Sequence, residues 1–404
     1  MCIICLVAKV TPYWAKQSQT ISPLVQSVIS HLEEKIDAGR LTPGSSLPSE
    51  RELAQGLKVS RAIVRSAIQE LGQRGHLIIK ENCRPVVAHR KGAVSRAKAD
   101  HIAAWIWPRS SHFAASQILK GIQSSMGQSS LRIVVGHAGG VSWQDIVASE
   151  AEFLQNLIDD EQCAGAIVWY IGGEANEATL AKVIKSGVPL VFVDRLPEPA
   201  LYCDYTGTDN PGASFSAVNH LIELGHRRIA CMTNLDQASS VKERITGWRQ
   251  AHDHARLPLD EALIISPDDG SQDAPEECYV AEQVEKMLSL PDPPTAVFCI
   301  NDSLAINVME SLASHGKRVP EDISVVGFDG LMSWMPNGGG LTSAFQDFER
   351  FGQTAVRLLK DRIANPTLPS RHVLLDAPLR LNGSTAQAAR RPDPALLGQT
   401  PNKQ

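Results

Sequence analysis

The sequence predicts a small α+β winged helix-turn-helix unit followed by a two-lobed α/β body built on parallel sheets. Three observations lead there. Two short, capped helical segments and a hairpin signal fall within the first 88 residues. From about residue 100 onward, apolar strand-like runs alternate with amphipathic stretches. The charge also reverses along the chain: residues 1–100 carry 15 Lys+Arg against 8 Asp+Glu, net +7, while the remainder nets −12 and the whole −5. A basic module on an acidic body directs only the first part toward a polyanion.

At 404 residues the chain exceeds one ordinary domain, and 43% apolar with 21% charged residues is normal for a soluble globular protein. The expected organisation is a tail at 1–20, a DNA-binding head at 21–88, a polar basic linker at 89–101, a body at 102–382 and a disordered tail at 383–404. The linker composition suits a flexible connection, with skimming of a DNA backbone as the alternative. No apolar run is long enough to span a bilayer, so no membrane partner is expected and the location read is cytoplasmic. The apolar start, Met1-Cys2-Ile3-Ile4-Cys5, has no basic segment ahead of it. It reads as a hydrophobic stub rather than a secretory signal, a misassigned start being the alternative. The eight cysteines offer one CxxC, Cys2 and Cys5, and no second pair or His cluster at ligand spacing. Neither a metal nor a disulfide framework is expected, and a reducing compartment fits.

In the head, a helix is predicted over 23–38, with Ser22 as N-cap, Pro23 in its first turn and Leu24, Val28, Leu32 and Ile36 as its apolar stripe. Ser49 and Glu52 form the signature of a capping box opening a short second helix. Ser60 caps a third. At 100° per residue, Ile63, Val64, Ala67, Ile68 and Leu71 of that helix share one side, and Arg61, Ala62, Arg65, Ser66 and Gln69 the other. The outward face thus carries two arginines one turn apart near a helix N-terminus, a pattern that suits a major groove. The plainer reading of exposed arginines is a solvated face; two capped helices joined by a tight turn in a basic segment favour the first. Runs 76–80 and 85–88 read as two strands of a hairpin wing.

These residues resemble a known family. Gly39 through Ala54, with Pro48-Ser49-Glu50-Arg51-Glu52-Leu53-Ala54, and Val59-Ser60-Arg61 through Leu71 are similar to the winged-helix head of GntR regulators over about 20–88. The resemblance implies double-stranded DNA as partner, with Arg51 on the backbone and Ser60, Arg61 and Arg65 in or beside the major groove. Ala62 stands where the family often has a hydroxyl residue, and the wing tip Glu81-Asn82-Cys83 lacks the usual glycine. That leaves Lys80 and Arg84 as the wing anchors.

In the body, strands are expected at 132–137, 164–170, 189–194, 228–233, 296–301 and 323–328, with helices at 150–159, 211–224, 242–255 and 303–315. Such alternation implies parallel sheets covered on both faces, in halves of roughly 100–195 and 196–330 with a returning tail. Polar residues collect where strands end: Asp194-Arg195, Asn301-Asp302 and Asp329. Ligands of open α/β sheets bind at that edge, and carboxylates and amides there suit the hydroxyls of a polyol. Asp209 and Asn210 read instead as turn or helix-cap residues.

Asp209-Asn210-Pro211-Gly212 through Ile229, and Pro294 through Asp329, resemble the sensor of the LacI/GalR family, whose fold is that of periplasmic sugar-binding proteins, over about 102–382. The resemblance implies ligand contact at Asp194, Arg244, Asn301 and Asp329, with Gln346 and Phe348 close by. Arg109, His112 and Phe113 follow the first strand and complete the expected set; Trp334 reads equally as an aromatic wall or a core residue. That family's own head and hinge helix are absent.

Together the two halves imply a homodimeric regulator, a repressor binding a pseudo-palindromic operator. It would be controlled by a small effector, a carbohydrate, that acts as inducer or, with the opposite sign, corepressor. Two alternatives stand beside it: a ligand-binding module without a DNA role, and an enzyme on an α/β scaffold. Against the enzyme, no GxSxG, P-loop or HExxH occurs and Gly136-His137-Ala138-Gly139-Gly140 is no dinucleotide fingerprint. No catalytic residue and no cofactor are expected.

Overall fold

The computed structural model describes residues 23–37, 41, 45–73, 77–79, 84–87, 99–106, 113–127, 129–138, 142–197, 203–234, 238–267, 276–331 and 339–388. Helix α1 (Pro23–Asp37), α2 (Glu50–Leu57) and α3 (Arg61–Gln73) build the head with a two-stranded antiparallel ribbon, β1 (Leu77–Ile78) and β2 (Val86–Val87). The capping box forms as its spacing requires: the Ser49 side chain accepts from the Glu52 N–H and Glu52 answers the Ser49 N–H. Lys58, left-handed at φ 53, ends α2. Val28, Ile29 and Leu32 of α1, Leu53 of α2, and Val64, Ala67, Ile68 and Leu71 of α3 close one small core with Leu47, Leu77 and Val87.

Among the described residues, the body holds two six-stranded sheets. The first runs β13-β7-β6-β5-β3-β4, all parallel, from β3 (His101–Trp105), β4 (Arg132–Val135), β5 (Cys163–Val168), β6 (Leu190–Val193), β7 (Asp204–Thr208) and β13 (His372–Leu375). The second runs β14-β12-β11-β10-β8-β9, from β8 (Ile229–Met232), β9 (Ile264–Ile265), β10 (Ala296–Cys299), β11 (Ser324–Asp329), β12 (Thr342–Phe345) and β14 (Leu379–Arg380). Among the described strands of the body, β14 alone pairs antiparallel. Central strands such as β5, β6 and β10 are buried at every residue, as sheets covered on both faces demand.

Helices α4 (Phe113–Met126), α5 (Trp143–Asp159), α6 (Gly173–Ser186) and α11 (Phe348–Ala364) cover the first sheet; α7 (Asn210–Glu223), α8 (Ser239–His254), α9 (Glu276–Leu288) and α10 (Asp302–Ser314) cover the second. Among the described residues, no helix is long and apolar enough to cross a membrane.

The lobes do not divide at residue 195. Strand β7 belongs to the first sheet, and among the described residues the chain crosses between lobes three times: from β7 to α7, from β12 to α11, and from β13 to β14. The crossings are bonded to each other. The Asp209 N–H donates to Leu375 O at 3.1 Å and the Phe345 N–H to Pro378 O at 3.0 Å. The alternation read from the sequence reaches β4, β5, β6, β8, β10 and β11 with α5, α7, α8 and α10; it gives neither β7 nor the sheet that an element joins.

The expected disorder from residue 383 is also corrected. Ser384 is fully buried: its hydroxyl accepts from the Thr342 N–H at 2.8 Å and donates to Val325 O at 2.6 Å. The Ala386 N–H donates to Ser324 Oγ at 3.0 Å. Small polar residues dock here by satisfying strand-end backbone groups, which composition cannot reveal. Residues 389–404 lie outside the described residues, as do Cys2, Cys5, Cys83 and Trp334.

Candidate functional site

On the head, α3 packs its apolar side inward and leaves Arg61, Ala62, Arg65, Ser66 and Gln69 exposed. Ser60 stands at the entry, its hydroxyl accepting from the Ile63 N–H at 3.3 Å. Arg51, one residue into α2, and Arg84, before β2, are exposed as well. Thus five of the six expected DNA contacts are surface residues of the head; Lys80 lies outside the described residues. The outward face is not purely basic. Glu50, the first residue of α2, takes two bonds from Arg65, and that pairing, foremost, holds its carboxyl below the ordinary value.

In the body, the strand ends bring Asp194, Arg244, Asp329 and Gln346 together. Asp194 follows β6 and Asp329 ends β11, both with positive φ (62° and 120°). Such backbone is uncommon for residues with a Cβ and is held where the surroundings over-determine it. Arg244 of α8 lies between them. Its Nη2 is 3.9 Å from Asp194 Oδ1 and its Nη1 3.6 Å from Asp329 Oδ1, so one guanidinium faces an acid from each lobe. The guanidinium is fixed by further bonds, Nε to Asn210 Oδ1 at 2.9 Å and Nη1 to Ile300 O at 2.7 Å, with the Phe328 ring centroid 4.0 Å from Cζ. Gln346 donates to Asp329 Oδ1 at 2.7 Å and accepts from the Thr208 hydroxyl at 2.6 Å, joining two of the interlobe crossings.

Burial is the chief electrostatic influence here. It pushes the Asp329 carboxyl up to about 8, opposed by Arg244 and reinforced by Asp302. It also raises Glu243, whose carboxylate accepts from Asn210 Nδ2 at 2.9 Å. Asn301 has a narrower role than expected. It is the N-cap of α10, and its side-chain oxygen accepts from the Leu304 N–H at 2.7 Å, leaving the amide N–H₂ as its donor. The Phe348 ring lies in the first-lobe core, edge-on to Phe351 with centroids 5.6 Å apart, rather than with the polar cluster. Phe113 opens α4 and is exposed; Arg109 and His112 lie outside the described residues.

Asp209 caps α7 as read, accepting from the Gly212 N–H at 3.1 Å, but Asn210 reaches into the site and orients Arg244. Arg195, one of the polar residues expected at the strand ends, has its Nε 3.8 Å from Asp194 Oδ2. Asn210, Thr208 and Glu243 were missed. All lie at or just after a crossing or on α8, and the one available signal was the Asp-Asn-Pro turn leaving β7. Among the described residues no group of three or more His, Cys, Asp or Glu is arranged to hold a metal ion.

Residues 24–84 match the bacterial regulatory proteins of the gntR family, and residues 218–385 match the periplasmic binding protein-like domain. The HTH-type transcriptional repressor PurR of Aliivibrio salmonicida (strain LFI1238) is 36% identical over 192 residues, 47% of this chain and 55% of that protein. This chain therefore spans little more than half the length of that relative. The HTH-type transcriptional repressor CytR of Escherichia coli (strain K12) is 27% identical over 270 residues, 67% of this chain and 75% of that protein. Among solved structures, a LacI family transcriptional regulator from Enterococcus faecium with bound ribose aligns with TM-score 0.59 at 23% identity, covering 72% of this chain and all of that one. At such identity the likeness establishes the body's fold. This chain carries a head of the gntR family of bacterial regulatory proteins joined to a periplasmic binding protein-like domain.

Proposed function

We propose that the chain is a sequence-specific DNA-binding transcription regulator, a homodimeric repressor whose operator affinity is set by a small carbohydrate held between the lobes. The observation that carries this reading is the meeting of Asp194 and Asp329, one from each lobe, on the buried Arg244, in a chain whose basic head turns Arg61 and Arg65 outward. Relatives named as transcriptional repressors support the regulatory part. Structures of similar fold holding ribose or cellobiose support the effector class, and a lac repressor dimer on its operator supports the assembly. Two carboxyl groups, one of them pushed up to about 8 by burial, and the amides of Asn210 and Gln346 offer acceptors and donors at fixed places, which suits neutral hydroxyls. A ligand that touches both lobes favours one relation between them, and it shifts DNA affinity by its differential affinity for the two states. Relief of repression is the sign we propose.

Arg61→Ala tests the head. It should weaken binding to the promoter of the protein's own gene by roughly 1–3 kcal/mol and relax sequence preference, measured by fluorescence anisotropy at fixed salt. Unchanged affinity and preference would remove α3 from the reading role. For the body, thermal-shift measurements with ribose, cellobiose and other neutral sugars should find one that raises the melting temperature of the parent. Asp194→Ala should lose that response while keeping DNA binding.

A further inference from the structure

Arg65 is exposed on the outward face of α3, yet its fork is already engaged. Nε donates to Glu50 Oε1 at 3.0 Å and Nη2 to Glu50 Oε2 at 2.7 Å, a planar two-bond pairing. The pair spans two helices rather than one helix face. Both helices are anchored, α2 by its capping box and by Leu53 and Ala54, α3 by Val64, Ala67, Ile68 and Leu71. Arg51 and Arg61 make no such pairing among the described residues, and Arg61 adds only a weaker attraction to Glu50. Among the described residues, Arg65 thus differs from the exposed Arg51 and Arg61 in having its charge matched by a carboxylate.

A carboxylate in that place acts twice on a polyanion. It removes one cation from the sequence-independent attraction to phosphates and repels them itself. It also fixes the plane of the Arg65 fork. A guanine edge, with O6 and N7 as paired acceptors, can replace the carboxylate bond for bond, whereas a passing phosphate must overcome its charge. The released carboxylate can accept from a cytosine amine beside it.

We propose that Glu50 is a specificity-determining residue of the DNA reader, which withholds Arg65 from phosphates and yields it to a base edge. The inference rests on α3 being the DNA-reading helix. The test is Glu50→Gln in the full chain, which keeps the side-chain length, leaves Arg65 one acceptor oxygen of the two and removes the charge from a half-buried site. Binding is measured to the promoter duplex and to a scrambled duplex of about 30 base pairs, in KCl from about 50 to about 300 mM. At the lowest salt, Glu50→Gln should bind the scrambled duplex roughly five- to twenty-fold more tightly, with a log K–log salt slope steeper by about 0.9, the value for one added phosphate contact. The promoter-to-scrambled ratio should fall. Adding Arg65→Gln should abolish the gain.

Scrambled-duplex affinity and slope equal to the parent's, or lower, would overturn the proposal. A merely structural role would weaken both duplexes alike and leave the slope unchanged. If the parent itself binds neither duplex, the reading of α3 fails and takes this inference with it. If the parent binds and Glu50→Gln behaves like it, only the inference fails.

Discussion

Asp329 keeps its proton because water has been taken from it, and Arg244 at 3.6 Å does not restore the balance; its carboxyl stands at about 8. An aspartate of the unfolded chain ionises near about 3.9. Between about 4 and 8 the folded chain thus holds a proton that the unfolded chain has released, and stability falls as pH rises through that window. Asp329→Asn keeps an acceptor for Gln346 and cannot ionise. It should therefore be more stable than the parent at pH 8 by on the order of 1–3 kcal/mol, the difference closing near pH 4. Urea midpoints at the two pH values measure it. A variant less stable than the parent at pH 8 would mean that Asp329 is ionised in the fold.

Elements are placed by contacts that the sequence shows only in part. Helices α4 and α11 cross at two glycines: a Cβ on Gly121 would meet the Glu349 carbonyl, and one on Gly352 the Ile118 carbonyl. Lys120 to Glu349 at 2.7 Å and Lys360 Nζ to Ser125 O at 2.8 Å brace the same crossing. Because α11 starts two residues after Gln346, Gly352→Ala should push the helices apart, costing about 1–3 kcal/mol in urea unfolding, and should weaken effector binding as well. Ser384→Ala acts at the docked end. It strips the buried Thr342 N–H of its acceptor and should cost about 1–3 kcal/mol, read by the same method. Neither site is legible from sequence. The apolar period of α3 and the all-apolar runs of β5, β6 and β10 are, because burial of a face leaves a repeating pattern. A glycine forced by a neighbouring helix, or a serine that closes a strand end, depends on a partner more than 30 residues away in sequence and leaves no local period.

Over the whole molecule, charge asymmetry and strand–helix alternation make the division of labour readable, since a solvated basic head and sheets buried on both faces each impose a composition. The crossings escape, so Asn210 reads as a turn residue when it in fact orients Arg244. Whole-molecule stability follows from groups that titrate in opposite senses. His226 and His252 are buried in the second lobe, His226 between Thr295, Ser324 and Ala386, and His252 against Trp248 with ring centroids 4.4 Å apart. Burial lowers both below the ordinary histidine value; the Ala386 carbonyl opposes this for His226, with His220 and Arg227 adding to it, and the Trp248 carbonyl opposes it for His252. The folded chain thus prefers the neutral rings, and the stability they contribute is present above about 6.5 and lost as pH falls below it. Asp329 works the other way, losing stability as pH rises, and would mask the effect in the parent. In the Asp329→Asn background, the urea midpoint should fall steadily from pH 7.5 to pH 5, a loss on the order of 1–3 kcal/mol. His226→Gln in that background should flatten the fall. An acid limb left unchanged by His226→Gln would assign the loss to other groups and leave His226 as a packing residue alone.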